Sequence, residues 1–158
     1  MGIESFIENF SYSGPRGFAT TEDIRSIYDF LELHPTSARL WNFCGDTIQL
    51  SDSDSYTQED VKQCYESAIK VSPDDAEGFE SLGFWHDLYG DLQLAVENFK
   101  QAIRRTDSDE PRLGIARVLA QLGQKKNALI ELQRCSDQMA ADLIRLRDEI
   151  VDDIWSPE

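Results

Sequence analysis

Two histidines and three cysteines are the residues of this chain best suited to metal or nucleophilic chemistry. Neither His34 nor His86 has a cysteine, serine or carboxylate at a spacing that would build such a site, so we predict that His34 ends a helix and that His86 packs. Cys44, Cys64 and Cys135 are far apart and form no C-x-x-C pair, which favours reduced, buried thiols over a zinc site or a disulfide framework. We predict no catalytic residue, no metal site and no cofactor.

The stretch DSDSYTQED, residues 52–60, superficially suggests a calcium-binding loop. An EF-hand needs alternating oxygen ligands, a glycine at the sharp turn and a final glutamate. Tyr56, Thr57 and Gln63 occupy those places here, so we interpret the stretch as a solvated acidic loop and a candidate contact loop. The sequence contains no glycine-rich phosphate loop, no G-x-S-x-G elbow and no H-E-x-x-H motif, so an enzyme is not predicted.

The net charge of −15 limits the classes of partner. A field of that sign repels phosphate backbones and anionic membranes, so we expect neither a nucleic acid nor a membrane partner. It attracts basic protein surfaces, although solubility alone is an equally good explanation of the charge. The first residues lack the basic and apolar regions of a signal peptide, no stretch reaches roughly 18 apolar residues, and the thiols suit a reducing compartment, so we expect a cytoplasmic protein.

Small and apolar residues recur along the chain every 33 or 34 positions. The central copy has Phe79, Leu82, Gly83, His86, Gly90, Ala95, Phe99 and Ala102. The following copy has Arg112, Ile115, Ala116, Leu119, Gly123, Ala128, Leu132 and Cys135. An earlier copy has Trp41, Cys44, Gly45 and Ile48, then, after a four-residue insertion, Val61, Tyr65 and Ala68. Repeated helix hairpins explain this pattern, because one amphipathic hairpin cannot bury its apolar face alone.

The close approach of two helices explains the small residues in these copies. Gly45, Gly83 and Ala116 fall in the middle of predicted helices, where glycine costs up to about 1 kcal/mol relative to alanine. A small residue there lets the two helices of a hairpin come together. The space between the helices is then expected to be filled by large side chains, those of Trp41, Phe79, Tyr65, Phe99 and Leu132. Gly90 and Gly123 then end the first helices as C-caps.

This pattern resembles the tetratricopeptide repeat, a helix–turn–helix unit of about 34 residues. The resemblance covers residues 38–137 and implies an all-α, right-handed solenoid of three hairpins, at 38–75, 76–108 and 109–137. Residues 1–37 are predicted to form an N-terminal helical segment, with a capped helix start at Thr20 and a helical face of Ile24, Ile27 and Leu31. Residues 138–158 are predicted to form a capping helix with Met139, Leu143, Leu146, Ile150 and Ile154 on its apolar face.

In the resembled family, the first helices line a concave groove that binds peptides or partner helices. The positions carried over to this chain are Arg39, Asn42, Asp46, Gln49, Glu77, Glu80, Phe84, Asp87, Leu113 and Arg117. The middle of this groove is acidic and holds the aromatic Phe84, which favours a basic or basic-apolar segment. The basic clamp that some relatives use for acidic chaperone tails is not matched, so that ligand is disfavoured.

The resulting hypothesis is a non-catalytic adaptor whose partner is another protein: a peptide, a helix or a basic surface. The alternative is a small acidic immunity or inhibitor protein that neutralises a basic toxin or enzyme. Stacking of terminal repeats between copies also leaves a homodimer open.

Overall fold

The computed structural model describes residues 1–155, and the regular secondary structure of these residues is almost entirely helical. They form nine α-helices, a short 3-10 turn at Pro15–Gly17 and one isolated bridge between Ala19 and Ser51. The helices are α1 (Ile3–Glu8), α2 (Thr21–Leu33), α3 (Ala38–Gln49), α4 (Gln58–Val71), α5 (Glu77–Leu88), α6 (Leu92–Ile103), α7 (Glu110–Gln121), α8 (Lys125–Gln133) and α9 (Ala141–Val151). The all-α prediction is confirmed. Residues 156–158 of the predicted capping segment lie outside the described residues.

The chain packs into two compact units, and the boundary between them falls in the first turn of α5. The N-terminal unit is Met1–Gly78, and the C-terminal unit begins at Phe79. Helices α1 to α4 belong to the N-terminal unit, and α6 to α9 belong to the C-terminal unit. No helix within residues 1–155 is both long and apolar enough to cross a bilayer.

Reciprocal side-chain caps set the start of two helices. At α2, the Thr20 hydroxyl accepts from the Asp23 amide at 3.2 Å, and the Asp23 carboxylate accepts from the Thr20 amide at 2.8 Å. Thr57 and Asp60 form the same capping box at α4. Burial disfavours the charged form of Asp23, but hydrogen bonds from Thr20 and Ser13 outweigh it and lower the pKa of this carboxyl. The predicted helix start at Thr20 is confirmed.

Two glycines end the first helices of the later hairpins. Gly90 follows α5 with φ +85°, and Gly123 follows α7 with φ +73°. Residues with a Cβ rarely adopt this left-handed conformation, so glycine allows the chain to turn there. His34 caps the end of α2, and His86 is buried, as the sequence predicts for both.

In the N-terminal unit, the aromatic ring of Tyr65 from α4 covers Gly45 of α3. A Cβ on Gly45 would lie 2.6 Å from Cε1 of that ring, closer than any side chain tolerates. Helix α2 buries Ile24, Ile27 and Leu31 as predicted, and it packs on α3. The small residue at position 45 therefore brings α3 and α4 into direct contact.

In the C-terminal unit, Phe99 of α6 lies between two glycines from different helices. A Cβ would come within 2.9 Å of its ring at Gly83 of α5 and within 2.6 Å at Gly114 of α7. The third predicted small site, Ala116, is fully buried in a cluster that also contains Leu132 of α8. The predicted close crossings therefore exist at Gly45 and Gly83, and Gly114 adds one that the repeat pattern did not identify.

The C-terminal segment differs from the sequence-based expectation. Helix α9 is shorter than predicted: Leu143 and Ile150 are buried, but Met139 and Ile154 lie outside the helix and are 81% and 65% exposed. The extended backbone of Ala140 starts α9 and a positive φ at Asp153 follows its end, which explains the shortening.

The loop at residues 52–60 keeps Asp52 and Asp54 exposed, as expected of a solvated loop, and it also contacts α2. The ring of Tyr56 stacks on that of Tyr28 with centroids 5.8 Å apart, and the Ser53 and Thr21 hydroxyls share a 2.6 Å hydrogen bond. The four-residue insertion is therefore packed against α2.

Candidate functional site

One face of α3 carries four of the predicted groove residues. Arg39, Asn42, Asp46 and Gln49 follow one another at steps of three and four residues, which places them on the same side of the helix. Glu77 begins α5, close enough to Arg39 and Asp46 to feel both charges. The structure therefore brings these five residues together in the N-terminal unit.

A pocket of about 240 Å³ opens on this face, and we call it the α3 pocket. Ile7 and Phe43 form its apolar walls, while Arg39, Asp46 and Glu77 line it with exposed charges. The Arg39 guanidinium forms a 3.1 Å ion pair with Glu4 between exposed side chains, and its charge also acts on the Glu77 carboxylate. The remaining charges of the pocket lining are two carboxylates.

Tyr65 lies beneath this face and holds the side chains of Asp46 and Gln49 in place. Its hydroxyl donates to Oδ1 of Asp46 at 2.8 Å and accepts from Nε2 of Gln49 at 3.1 Å. Burial, reinforced by the Asp46 charge, raises the pKa of Tyr65, so the hydroxyl keeps its proton and remains a donor. From sequence, Tyr65 was assigned only to packing.

Asn42 is the most deeply buried of the predicted groove residues. It is 0% exposed, and in the described structure neither its side-chain oxygen nor its nitrogen has a hydrogen-bond partner. Its carboxamide lies beside the Glu77 carboxylate without reaching hydrogen-bond geometry. Partial burial and the neighbouring Asp75 raise the pKa of Glu77, against the opposing effect of Arg39.

In the C-terminal unit, Asp87 connects α5 to α7. Its carboxylate accepts from Nε of Arg117 at 2.9 Å, from the Arg117 terminal nitrogen, and from Nε2 of Gln121 at 2.7 Å. The Arg117 guanidinium also lies 5.5 Å from the ring centroid of Phe84, within cation–π range. Asp87, with a side chain only 8% exposed, therefore uses its charge within the protein.

A cleft of about 430 Å³ opens beside α7, and we call it the α7 cleft. Its lining comes from α5, α7, α9 and the turn after α9. The uncharged lining consists of Phe84, Leu113, Gly114, Leu146 and Trp155. The charged lining consists of Glu110, Arg117, Asp142, Arg145 and Glu149. Three predicted groove residues, Phe84, Leu113 and Arg117, are thus brought together in one cleft.

Sequence reasoning did not identify the contribution of the C-terminal segment to this cleft. Trp155 is half-buried there and donates from Nε1 to the Glu149 carboxylate at 3.0 Å. Arg145 pairs with Asp142 at 2.8 Å on the exposed side. The predicted groove residue Glu80 is half-buried on α5 and does not line the cleft. An amphipathic α9 was visible in the sequence, but which residues it would face was not.

Charge is distributed unequally between the units. Residues 1–78 contain fifteen acidic and five basic residues, whereas residues 79–158 contain fifteen acidic and ten basic ones. Among the described residues, no group of three or more histidine, cysteine or acidic side chains could hold a metal ion. Cys44, Cys64 and Cys135 are free thiols and are buried, as predicted.

Comparison with known proteins supports the repeat assignment through structure and not through sequence. No family model and no curated protein sequence matches the chain. Solved structures do match: TTC0263, a thermophilic TPR protein from Thermus thermophilus, has a TM-score of 0.67 at 17% identity, covering 85% of this chain and 72% of that one.

YrrB, described as a TPR protein with an unusual peptide-binding site, has a TM-score of 0.60 at 16% identity, covering 84% of this chain and 76% of that one. The present chain therefore has the tetratricopeptide-repeat (TPR) fold. MamA is also similar, with a TM-score of 0.61 at 12% identity over 84% of this chain and 86% of its own.

Proposed function

We propose that this TPR-fold protein is a non-catalytic adaptor that binds a peptide or helix of another protein. The observation that carries the proposal is the α7 cleft, where Phe84, Leu113 and Trp155 line a volume large enough for partner side chains. Aromatic and aliphatic groups in a concave site bordered by charges are typical anchors of a protein interface. The peptide-binding site named for YrrB, which has the same fold, also supports a peptide-sized ligand.

The charges of the α7 cleft favour a basic or basic-apolar partner. Three carboxylates line it, from Glu110, Asp142 and Glu149, against the two guanidinium groups of Arg117 and Arg145. Both arginines already pair with carboxylates of the protein. Because Arg145 pairs with Asp142, the carboxylates of Glu110 and Glu149 remain for a lysine or arginine of the partner. The overall negative field would also speed the encounter.

The test is affinity capture followed by mass spectrometry with two charge-reversal variants. Glu110→Lys changes the lining of the cleft, whereas Glu97→Lys makes the same change on the exposed surface of α6. We expect a partner that is retained by the wild type and by Glu97→Lys, lost with Glu110→Lys, and weakened at high salt. Equal retention by both variants would show that the cleft is not the binding site.

The alternative, an acidic immunity or inhibitor protein, stays a prediction. The same capture distinguishes the two, because an inhibitor would retain one basic toxin or enzyme and abolish its activity. Light scattering over a concentration series tests the homodimer.

A further inference from the structure

Two buried thiols of the N-terminal unit lie in direct contact, and the proposed function does not use them. We propose that Cys44 and Cys64 form a reversible redox pair, which a hydroperoxide converts into a disulfide between α3 and α4. The proposal does not depend on the α7 cleft. It adds a modification site in the interior of the protein.

The first argument is the position of the two sulfurs. Cys44 precedes Gly45 on α3 and Cys64 precedes Tyr65 on α4, so both lie at the crossing that the small residue allows. A disulfide needs Cα atoms about 4.4 to 6.8 Å apart, which two helices reach only at a close crossing. The two thiols also share a hydrogen bond across it. Joining the sulfurs therefore requires a small movement and no rearrangement of the helices.

The second argument is a hydroxyl that meets the thiols. The Tyr28 hydroxyl on α2 lies 3.6 Å from Sγ of Cys64. The hydrogen bond from Cys44 lowers the pKa of Cys64 although burial opposes it, and the Tyr28 hydroxyl acts in the same direction as Cys44. The same contact with Cys64 raises the pKa of Cys44. Cys64 is therefore the thiol that ionises and attacks, while Cys44 keeps its proton and reacts second.

The reaction balances with one molecule of hydroperoxide. The Cys64 thiolate attacks a peroxide oxygen and the O–O bond breaks. The leaving alkoxide or hydroxide takes the proton that Cys64 lost, and Cys64 becomes a sulfenic acid. The Cys44 sulfur then attacks the Cys64 sulfur, the S–O bond breaks, and hydroxide leaves with the Cys44 proton as water. The two sulfurs thereby give two electrons to the peroxide, and a dithiol reductant restores both thiols.

The third argument is the cover over the pair. Cys44 is 0% exposed and Cys64 is 1% exposed. On the side of α2 the cover is the half-buried Tyr28, whose ring stacks on that of Tyr56 in the loop of residues 52–60. A loop opens locally more readily than a packed helix. A small, neutral peroxide needs a narrower opening than a bulky thiol reagent does, so oxidation of the pair is compatible with slow reagent labelling.

The experiment is treatment of the full chain with hydrogen peroxide, then alkylation in denaturant, trypsin digestion and mass spectrometry. Trypsin cleaves after Arg39, Lys62 and Lys70, so it releases Cys44 in residues 40–62 and Cys64 in residues 63–70. We expect these two peptides to appear as one disulfide-linked pair that dithiothreitol separates. The number of free thiols per chain, counted in guanidinium chloride, should fall from three to one, which is Cys135.

Matched variants assign the roles. Cys44→Ala should leave Cys64 as a sulfenic acid that dimedone traps, and Cys64→Ala should leave Cys44 reduced. Cys135→Ala makes the same change in the C-terminal unit and should form the disulfide at the wild-type rate. Tyr28→Phe should slow disulfide formation about three- to tenfold, as suits one hydrogen bond, whereas Tyr89→Phe, at an exposed position, should not.

Equilibration in an oxidising glutathione buffer separates geometry from access, because it tests whether the fold accepts the disulfide however slowly the thiols are reached. A pair that stays reduced in this buffer would overturn the inference, as would a linkage between two chains or one that needs Cys135. Linkage with glutathione but none with excess peroxide would rule out the hydroperoxide as the oxidant. Equal rates for Tyr28→Phe and the wild type would remove the role given to Tyr28.

None of these results touches the adaptor proposal, which depends on Glu110→Lys in the C-terminal unit. Conversely, failure of the capture experiment leaves the peptide analysis interpretable.

Discussion

The hydroxyl of Tyr65 on α4 donates a hydrogen bond to the Asp46 carboxylate on α3, 2.8 Å away. A packing residue and a predicted binding residue are thereby coupled. We predict that Tyr65→Phe keeps the contact over Gly45 but lowers the free energy of unfolding by about 1 kcal/mol, the typical value of one hydrogen bond. Urea denaturation measures this change.

Phe99 occupies the position in the next hairpin that Tyr65 has in the first. Adding a hydroxyl there is the reverse of the Tyr65→Phe change. Its Cζ points at Gly114, where a Cβ would lie 2.6 Å away, so the hydroxyl of Phe99→Tyr has no room. We expect this variant to lose more stability than Tyr65→Phe. The opposite order would mean that the two rings do not play the roles assigned to them.

Replacing glycine with alanine at the helix crossings tests how closely the neighbouring ring approaches the backbone. Gly114→Ala gains about 1 kcal/mol of helix propensity but forces a Cβ against the buried ring of Phe99, a kind of overpacking that costs about 1 to 3 kcal/mol. We predict that Gly114→Ala is net destabilising and that Gly83→Ala, where the approach is 2.9 Å, is affected less. Thermal unfolding followed by circular dichroism measures both.

A matched control and a rescue accompany these glycine variants. Gly2→Ala places its Cβ in open space and should change stability little. Replacing the ring, as in Phe99→Leu, should reduce the additional cost of Gly114→Ala, which a double-mutant cycle detects as a coupling energy. Additive effects would show that the ring is not what excludes the Cβ.

The buried amide of Asn42 should lower the free energy of unfolding. Because both polar atoms of its buried amide lack partners, Asn42→Leu is expected to be neutral or to raise the free energy of unfolding by about 1 to 2 kcal/mol. Asn42→Ala has the same loss of polarity but leaves a cavity, and should destabilise. If Asn42→Leu is strongly destabilising in urea, the amide is satisfied in solution.

Asp109 joins the start of α7 to the segment between α8 and α9. Its carboxylate accepts from the Ser136 amide at 2.8 and 2.9 Å, from the Ser136 hydroxyl at 2.8 Å and from the Asp137 amide at 3.1 Å. The hydrogen bonds from Ser136, led by its backbone amide, lower the pKa of Asp109. The folded state therefore binds this proton more weakly than the unfolded chain does.

This depressed pKa predicts a pH-dependent difference between the wild type and Asp109→Asn. The stabilisation by the charged carboxylate is complete above the unfolded pKa of about 3.9 and is lost as the pH falls through the lower, folded value. The wild type should thus be the more stable protein in urea at pH 6, and its advantage should shrink towards pH 3. The exposed neighbour Asp107 supplies the control at pH 6, since Asp107→Asn makes the same change at the surface and should alter stability little.

The thiols should be protected in the native protein. Cys44 and Cys64 are at most 1% exposed, and burial raises the pKa of Cys135 to about 11. The hydrogen bond between Cys44 and Cys64 raises the pKa of Cys44 and lowers that of Cys64, so the expected protection of this pair rests on burial. We predict slow reaction with the thiol reagent DTNB in the native state and rapid release corresponding to all three cysteines in guanidinium chloride. Rapid native labelling would indicate frequent local opening.

The spacing of small and large residues was enough to predict the helices and their crossings. Gly45 and Tyr65 are 20 positions apart and Gly83 and Phe99 are 16 apart, and the difference equals the four-residue insertion, because each hairpin must solve the same packing problem. The caps at Thr20, Gly90 and Gly123 were also predictable, since each depends on local chemistry.

The polar contacts of the candidate sites were not predictable from periodicity. The bonds of Tyr65 to Asp46, of Arg117 to Asp87 and of Asp109 to Ser136 join residues 19, 30 and 27 positions apart, and a side-chain donor looks the same in sequence whether or not its acceptor is near. The role of Trp155 depends on where α9 ends, and helix ends are the least certain feature of a periodic pattern.

Phe99, held between Gly83 of α5 and Gly114 of α7, is shared by two hairpins. Neither hairpin can open without exposing one side of the Phe99 ring to solvent, so the fluctuations of the two hairpins are coupled. We therefore expect α5, α6 and α7 to unfold locally as one cooperative unit, in which amide protons of different repeats exchange with solvent together.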